Sequence, residues 1–334
     1  MNLFFISSQN LLELIRRLSG KARVFYPFVE NDKSHLIEYN PNTHHPFDFS
    51  KIRTAENIKH FFFPSRDIVA RFPKELNKRI KPQIIIGVKN CDLRGIEVYD
   101  RVFLNWEPVD ILYKERRENT IIISADCPEP LDTCFCNLVE LHPYVNAISD
   151  ANISVIKTGY LFEVLSEKGE TIIKDNKDLF NNAEKDSVNE RENIRKKALG
   201  KLQGINRTKL KENISEVIGK IDKQTIREFR NECVECHSCL HCCPTCYCFL
   251  LSDYKKGEDV ERIRVWDACY YAAYARVGGG ANPRSRIDER FWNRFQCKFS
   301  YFYQYEKFYA CSGCGRCFVG CSAKIGIREI LINL

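Results

Sequence analysis

The chain has 334 residues, 44% hydrophobic and 28% charged, the composition of a soluble protein long enough for two cored domains. Its formal net charge is +7, and it holds 17 cysteines. An odd cysteine total argues against a fully paired disulfide framework. No apolar run approaches the ~20 residues needed to span a bilayer. The apolar start, Met1 to Ile6, is too short for a signal h-region. A reducing cytosol is therefore expected, where closely spaced thiols mean metal. The positive charge does not call for nucleic acid. A [4Fe–4S] cluster on four thiolates carries about −2, so two clusters bring the total to about +3 and three to about +1.

Residues 1–165 read as an α/β domain with a partly parallel sheet. Gln9 to Leu18 places Leu11, Leu12, Ile15 and Leu18 on one helical face. Arg23 to Tyr26 reads as a strand. Ile84–Val88 and Thr120–Ser124 are continuous apolar runs, the pattern of buried parallel strands. Between them Leu93 to Leu104 has helical spacing, which completes a βαβ unit with both strands ending on one edge. Residues 166–230 turn to Lys, Glu, Asn and Asp and predict a charged, largely helical connector. Residues 231–334 are rich in Cys and aromatics with almost no strand signal, and predict a mainly α-helical dicluster domain. The fold class expected is α+β.

Two runs of C-x2-C-x2-C-x3-C dominate that last segment. The first is Cys233, Cys236, Cys239, Cys243, followed by Pro244; the second is Cys311, Cys314, Cys317, Cys321. Three thiolates on one tight loop cap one face of a cubane, and the fourth lies a helical turn away, aimed at the other cluster. One cluster should therefore take Cys233, Cys236, Cys239 and Cys321. The other should take Cys311, Cys314, Cys317 and Cys243. Gly313 and Gly315 suit a loop whose amides approach sulfur closely. Ser322 stands where Pro usually follows the last Cys. Zinc, the competing reading, needs at most four ligands, and two full runs overshoot it.

The run Cys233 to Cys248 resembles the CxxCxxCxxxCPTCxC signature of one family. That family comprises the iron–sulfur beta subunit of cytosolic NiFe hydrogenases (sulfhydrogenases) and an iron–sulfur subunit of the anaerobic sulfite reductase. Val265-Trp266-Asp267-Ala268-Cys269 is similar to its W-x-S-C segment, with Ala268 at the Ser position. Arg284 to Lys298 is similar to its Arg-rich helix, and Cys311 to Cys317 to its CVGCGRC. In the first half, Gly87 to Asp92 and Asp126-Cys127 with Cys134-Phe135-Cys136 resemble its GxxxCD and C…CFC. The resemblance implies a non-catalytic, cytoplasmic electron-transfer subunit. Its partners would be a flavoprotein handling NAD(P)H and a catalytic subunit of hydrogenase or sulfite reductase type.

Cys91 and Cys127 each follow a predicted parallel strand at its C-terminal end, where α/β sheets place their sites. With Cys134 and Cys136, on one side of an extended C-x-C, they make a candidate third [4Fe–4S] site. Buried structural thiols and zinc are the alternatives there. Cys242, Cys246, Cys248, Cys269 and Cys297 exceed the ligand count, and several should line a cluster pocket. His237 and His241 fall inside the first loop and are expected beside the cluster, not as ligands. Arg286, Arg290, Arg294 and Lys298 recur every four residues, predicting a solvated basic face next to a Phe291/Phe295/Phe299 core stripe, with a docking face for an acidic partner or neutralisation of a nearby cluster as the alternatives. Gly278 to Gly280 is no dinucleotide loop, and no catalytic acid–base or nucleophile arrangement stands out. The function read from the sequence is single-electron relay within a cytosolic multisubunit oxidoreductase. A zinc-stabilised docking module and a self-sufficient iron–sulfur reductase are the alternatives.

Overall fold

The computed structural model describes every residue except 1, 44, 52, 74–79 and 146–147. Strands are β1 Leu3–Ile6, β2 Arg23–Glu30, β3 Lys33–Glu38, β4 Arg66–Phe72, β5 Gln83–Val88, β6 Thr120–Ala125, β7 Ala151–Ile156, β8 Gly159–Val164, β9 Asn181–Asn182, β10 Phe249–Lys256 and β11 Asp259–Trp266. The chain divides into two compact units. One comprises residues 1–58, 79–132 and 141–205; the other comprises 59–78, 133–140 and 206–334.

The first unit is built on an eight-stranded sheet in the order β3-β2-β5-β6-β7-β8-β1-β9. Its centre is parallel: β2 pairs β5, β5 pairs β6, and β6 pairs β7. Every residue of β5 is buried, so Ile84, Ile85 and Ile86 form the apolar run of a strand covered on both faces. Ser7 caps the helix Ser8–Ser19 by accepting from the Asn10 amide, and Leu11, Leu14, Ile15 and Leu18 seal it to the core. Gly87 lies at a register shift between β5 and β6 with φ +84°, and a Cβ there would meet the Pro27 ring at 2.7 Å. This glycine bulge ends β5 and turns the chain into the helix Asn90–Asp100, at whose start Cys91 sits. The charged segment after residue 166 is largely helical. Its helices Glu167–Asp175 and Lys185–Ile205 belong to this first unit.

The second unit packs the helices Ile214–Lys220, Lys223–Arg230 and Ile287–Phe295 around Phe291, Trp292, Phe295 and Phe299. The Trp292 indole donates to the Ile218 carbonyl at 2.9 Å, which satisfies its only polar group inside that core. This unit also holds a three-stranded antiparallel sheet, β10-β11-β4. That corrects the expectation of residues 231–334 as almost strand-free. Phe249 to Lys256 and Asp259 to Trp266 form a hairpin turning at Gly257, φ +64°. Only β11 has buried positions there, so β10, exposed along its length, lacks the apolar alternation that marks a strand.

Candidate metal centre

Each cysteine run folds into the same local shape. In the first loop Glu235 and His237 have positive φ, 53° and 58°; in the second, Gly313 and Gly315 occupy the same two positions at 60° and 73°. Alternating left-handed residues turn successive amides into one concavity, the geometry that receives an anion. A one-turn helix follows in each loop, Ser238–His241 and Arg316–Val319, which carries the chain from the third cysteine towards the fourth. The first loop tolerates side chains at its left-handed positions, but the second does not. A Cβ on Gly313 would stand 2.5 Å from the Cys136 amide nitrogen, and one on Gly315 would stand 2.4 Å from the Thr133 carbonyl oxygen. The segment Thr133–Cys136 lies against the second loop, and the Phe135 amide donates to the Gly313 carbonyl at 2.8 Å.

One small cavity, of about 20 Å³, is lined by Cys233, Cys236, Cys239 and Cys321. Cys321 comes from the other motif, nearly ninety residues on. Three polar side chains also line it, His237, Tyr270 and Arg294. His237 Nδ1, Tyr270 Oη and Arg294 Nε are buried with no hydrogen-bond partner among the described residues. Buried donors left open cost free energy, so this wall fits a group rich in acceptor charge. A thiolate-ligated iron–sulfur cluster has that character. Cys236 is the exposed member of the set. Its thiol is held below the ordinary range by the Ser238 amide and by the Ser322 amide and hydroxyl. The Ser322 that stands in place of Pro thus supplies two donors to a candidate ligand.

A second group gathers Cys311, Cys314, Cys317 and Cys243. Burial pushes the Cys317 thiol up, Arg294 opposes this, and the nearby thiols of Cys314, Cys311 and Cys243 add to the rise. Burial likewise pushes Cys311 up to about 12. Cys243 is held well below the ordinary thiol value, chiefly by a hydrogen bond from Cys246 and then by the charge of Lys298. Lys298 is 4% exposed. Its ammonium donates to Thr245 Oγ1 at 2.6 Å and to the Ala310 carbonyl at 3.2 Å, and Thr245 Oγ1 stands 3.2 Å from Cys243 Sγ. Burial would depress this lysine, but Cys243 and Cys246 outweigh it and hold it well above the usual value.

The basic stripe is not a solvated face. Arg290, Arg294 and Lys298 are all buried, and only Arg286 stays at the surface, paired with Asp288 at 3.1 Å. The four-residue spacing is plain in the sequence, but whether such a stripe meets water or metal–thiolate charge depends on what packs over it. Tyr270, Thr245 and the donor role of Ser322 are the parts of the site that the motifs did not signal. Among the surplus thiols, Cys248 and Cys269 hydrogen-bond to each other, with Tyr274 also donating to Cys248.

Cys91 and Cys127 belong to the first unit, Cys134 and Cys136 to the second. Strands β5 and β6 are parallel neighbours, and Cys91 and Cys127 both act electrostatically on the buried Lys89. Lys89 Nζ donates to the Phe49 and Asp126 carbonyls at 2.9 and 2.7 Å. Cys134-Phe135-Cys136 is not the extended strand expected: Phe135 has φ −142°, ψ 33°, and Cys136 opens a 3-10 turn. The hydrogen bond to Gly313 replaces strand pairing there.

Among the described residues no three His, Cys, Asp or Glu side chains are grouped closely enough for a single metal ion. Thiolates on one tetrahedral zinc lie under about 4 Å apart, since Zn–S is about 2.3 Å. A cubane carries its thiolates on outlying corners, and so spaces them more widely. No helix among the described residues is long and apolar enough to cross a membrane.

Residues 232–325 match the 4Fe-4S dicluster domain family. Over 332 residues, 98% of this chain and 96% of the relative, the sequence is 29% identical to sulfhydrogenase 2 subunit beta of Pyrococcus furiosus. The resemblance read from the motifs therefore extends along nearly the whole chain.

Proposed function

We propose, from a chain that carries a 4Fe-4S dicluster domain, that it is the iron–sulfur electron-transfer subunit of a multisubunit oxidoreductase. It would relay single electrons between a flavin/NAD(P)H subunit on one side and a catalytic subunit, of hydrogenase or sulfite reductase type, on the other. The observation that carries this reading is the cavity shared by Cys233, Cys236, Cys239 and the distant Cys321, with three unpartnered polar groups on its wall. These four residues would hold one cluster. Cys311, Cys314, Cys317 and Cys243 would hold a second. A bound [4Fe–4S] cluster takes up and releases one electron at a time.

The protein's own residues do the rest. The left-handed loop residues turn amides towards sulfur, Lys298 and Arg294 oppose the metal–thiolate charge, and the aromatic core around Phe291 and Phe295 excludes water. Exposure of Cys236 makes the first cluster the one a partner would meet at the surface. Thr133–Cys136 packs on the second loop within the same unit, beside the proposed second cluster.

The test is iron and sulfide analysis of the anaerobically purified chain, with absorbance near 400 nm. Eight irons support two clusters and twelve support three. A colourless chain ends the iron–sulfur reading. Cys321→Ala should remove one cluster while the other remains; retention of both refutes the exchanged ligand. Co-purification with a flavoprotein and a catalytic subunit is the expected result for the partners. Substrate turnover by the isolated chain would overturn the non-catalytic role.

A further inference from the structure

We propose that Cys248 and Cys269 are a redox-active pair. As a dithiol it gives one electron to each of the two clusters and closes to a disulfide, which the reduced clusters open again. This rests on the two-cluster reading above. Neither residue is a candidate cluster ligand, and other surplus thiols are engaged elsewhere. Cys246 hydrogen-bonds to Cys243, and Cys297 Sγ lies 3.8 Å from Tyr247 Oη.

The β10–β11 hairpin brings the two together. Its ladder ends at the Phe249–Trp266 pair, and the Asp267 amide extends it by donating to the Cys248 carbonyl at 3.0 Å. The Asp267 carboxylate accepts the Ala268 amide at 2.7 Å, and a turn closes from the Ala268 carbonyl to the Tyr271 amide at 2.9 Å. Cys269, inside that turn, packs in the same core as Cys248. Their thiols hydrogen-bond to each other, and the Cys269 amide and the Tyr274 hydroxyl also donate to Cys248 Sγ. Sulfurs in such contact need only a short closure to reach the ~2.0 Å of an S–S bond. Three donors on one sulfur favour its thiolate, the form from which electrons leave. A pair kept only for packing has no need of them, since a buried thiol behaves as a small hydrophobe.

Each end of the pair adjoins one proposed cluster. Cys269 is followed by Tyr270, which lines the cavity of Cys233, Cys236, Cys239 and Cys321. Cys248 lies on the run that begins at Cys243, a candidate ligand of the second cluster, and Cys246 between them touches Cys243. The exchange balances. Two thiols lose two protons and two electrons and form one S–S bond. Each oxidised cluster gains one electron, and the protons pass to water beside the half-buried Cys248. A cluster handles one electron at a time, so this step needs both clusters. The pair thus adds a two-electron store to a one-electron relay.

The experiment poises the anaerobically purified full chain with mediator dyes at an oxidising and at a reducing potential. Each sample is quenched in acid, unfolded, alkylated and mapped by mass spectrometry, with iron measured in parallel. The result expected is a Cys248–Cys269 disulfide in oxidised wild type and two alkylated thiols in reduced wild type. Both cysteines alkylated at both potentials, or a disulfide at both, overturn the proposal. In a reductive titration, wild type should take up two electrons more than Cys248→Ser or Cys269→Ser of equal iron content. Cys297→Ser, which removes another surplus thiol of the same unit, should match wild type. Equal uptake by wild type and both pair variants overturns the proposal, and where those variants lose iron the wild-type mapping decides. A wild-type chain without iron defeats the two-cluster reading itself, whereas a loaded chain whose two thiols never join defeats this inference alone.

Discussion

Replacing Gly313 by Ala tests whether the second cysteine loop and the segment Thr133–Cys136 are in tight contact. Two costs apply. The backbone is left-handed at φ +60°, which costs an L-residue about 1–2 kcal/mol. The added Cβ would also stand 2.5 Å from the Cys136 nitrogen and the Phe135 carbonyl carbon. Both are backbone atoms that no rotamer change can withdraw, and overpacking of this kind costs about 1–3 kcal/mol. The sum is about 2–5 kcal/mol. Gly279 separates the two terms: it has φ +82° but nothing within 4 Å of an added Cβ, so Gly279→Ala should show the backbone cost alone. The assay is anaerobic chemical denaturation followed by fluorescence of Trp266 and Trp292, both in the second unit. If Gly313→Ala is no more destabilising than Gly279→Ala, the contact with Cys136 does not exist.

Three further outcomes are expected. Arg195→Leu should destabilise the first unit by about 3–5 kcal/mol, because it removes the cation paired with the buried Asp126 carboxylate at 2.8 and 3.1 Å and leaves that charge with the neutral donors Asn152 and Ser154; thermal unfolding that shifts by less than about 1 kcal/mol would contradict this. Tyr113 donates to Asp100 Oδ1 at 2.6 Å, and burial, then Asp100, raises its pKa well above that of an ordinary tyrosine. The folded state therefore keeps this proton longer than the unfolded chain, so the group's stabilisation is complete below pH ~10 and is lost as pH rises further, by up to about 1.4 kcal/mol per unit. Tyr113→Phe should flatten that alkaline decline in urea midpoints measured between pH 9 and 11. Finally, Ser322→Pro removes two donors to Cys236 and should lower the midpoint of one cluster only; EPR titration showing both clusters moved, or neither, would refute the assignment.

Much of the site was legible because its grammar is local. Cysteine spacing dictates which thiolates share a loop, and an all-apolar run such as Ile84–Ile86 can rest only inside a sheet covered on both faces. The parallel β5–β6 pair and the helix behind Cys91 followed from the same periodicities. Other features depended on partners far along the chain. β4 pairs with β11 across nearly two hundred residues, and nothing within Arg66–Phe72 specifies that neighbour. The 3-10 turn at Cys136 answers to Gly313, not to its own sequence.

The basic stripe divides the two kinds of information most clearly. Sequence alone determined that Arg286, Arg290, Arg294 and Lys298 share one helical side, since the helix repeat requires it. It could not determine which of them meet water. That was decided by tertiary packing, which leaves Arg286 outside and buries Arg294 and Lys298 beside the thiols. The physical reason, on the proposed reading, is that the partner charge would belong to a cofactor held by cysteines on two loops that lie on either side of this helix in the chain. A cation whose counter-charge is not itself a side chain looks, in sequence, like one that faces solvent.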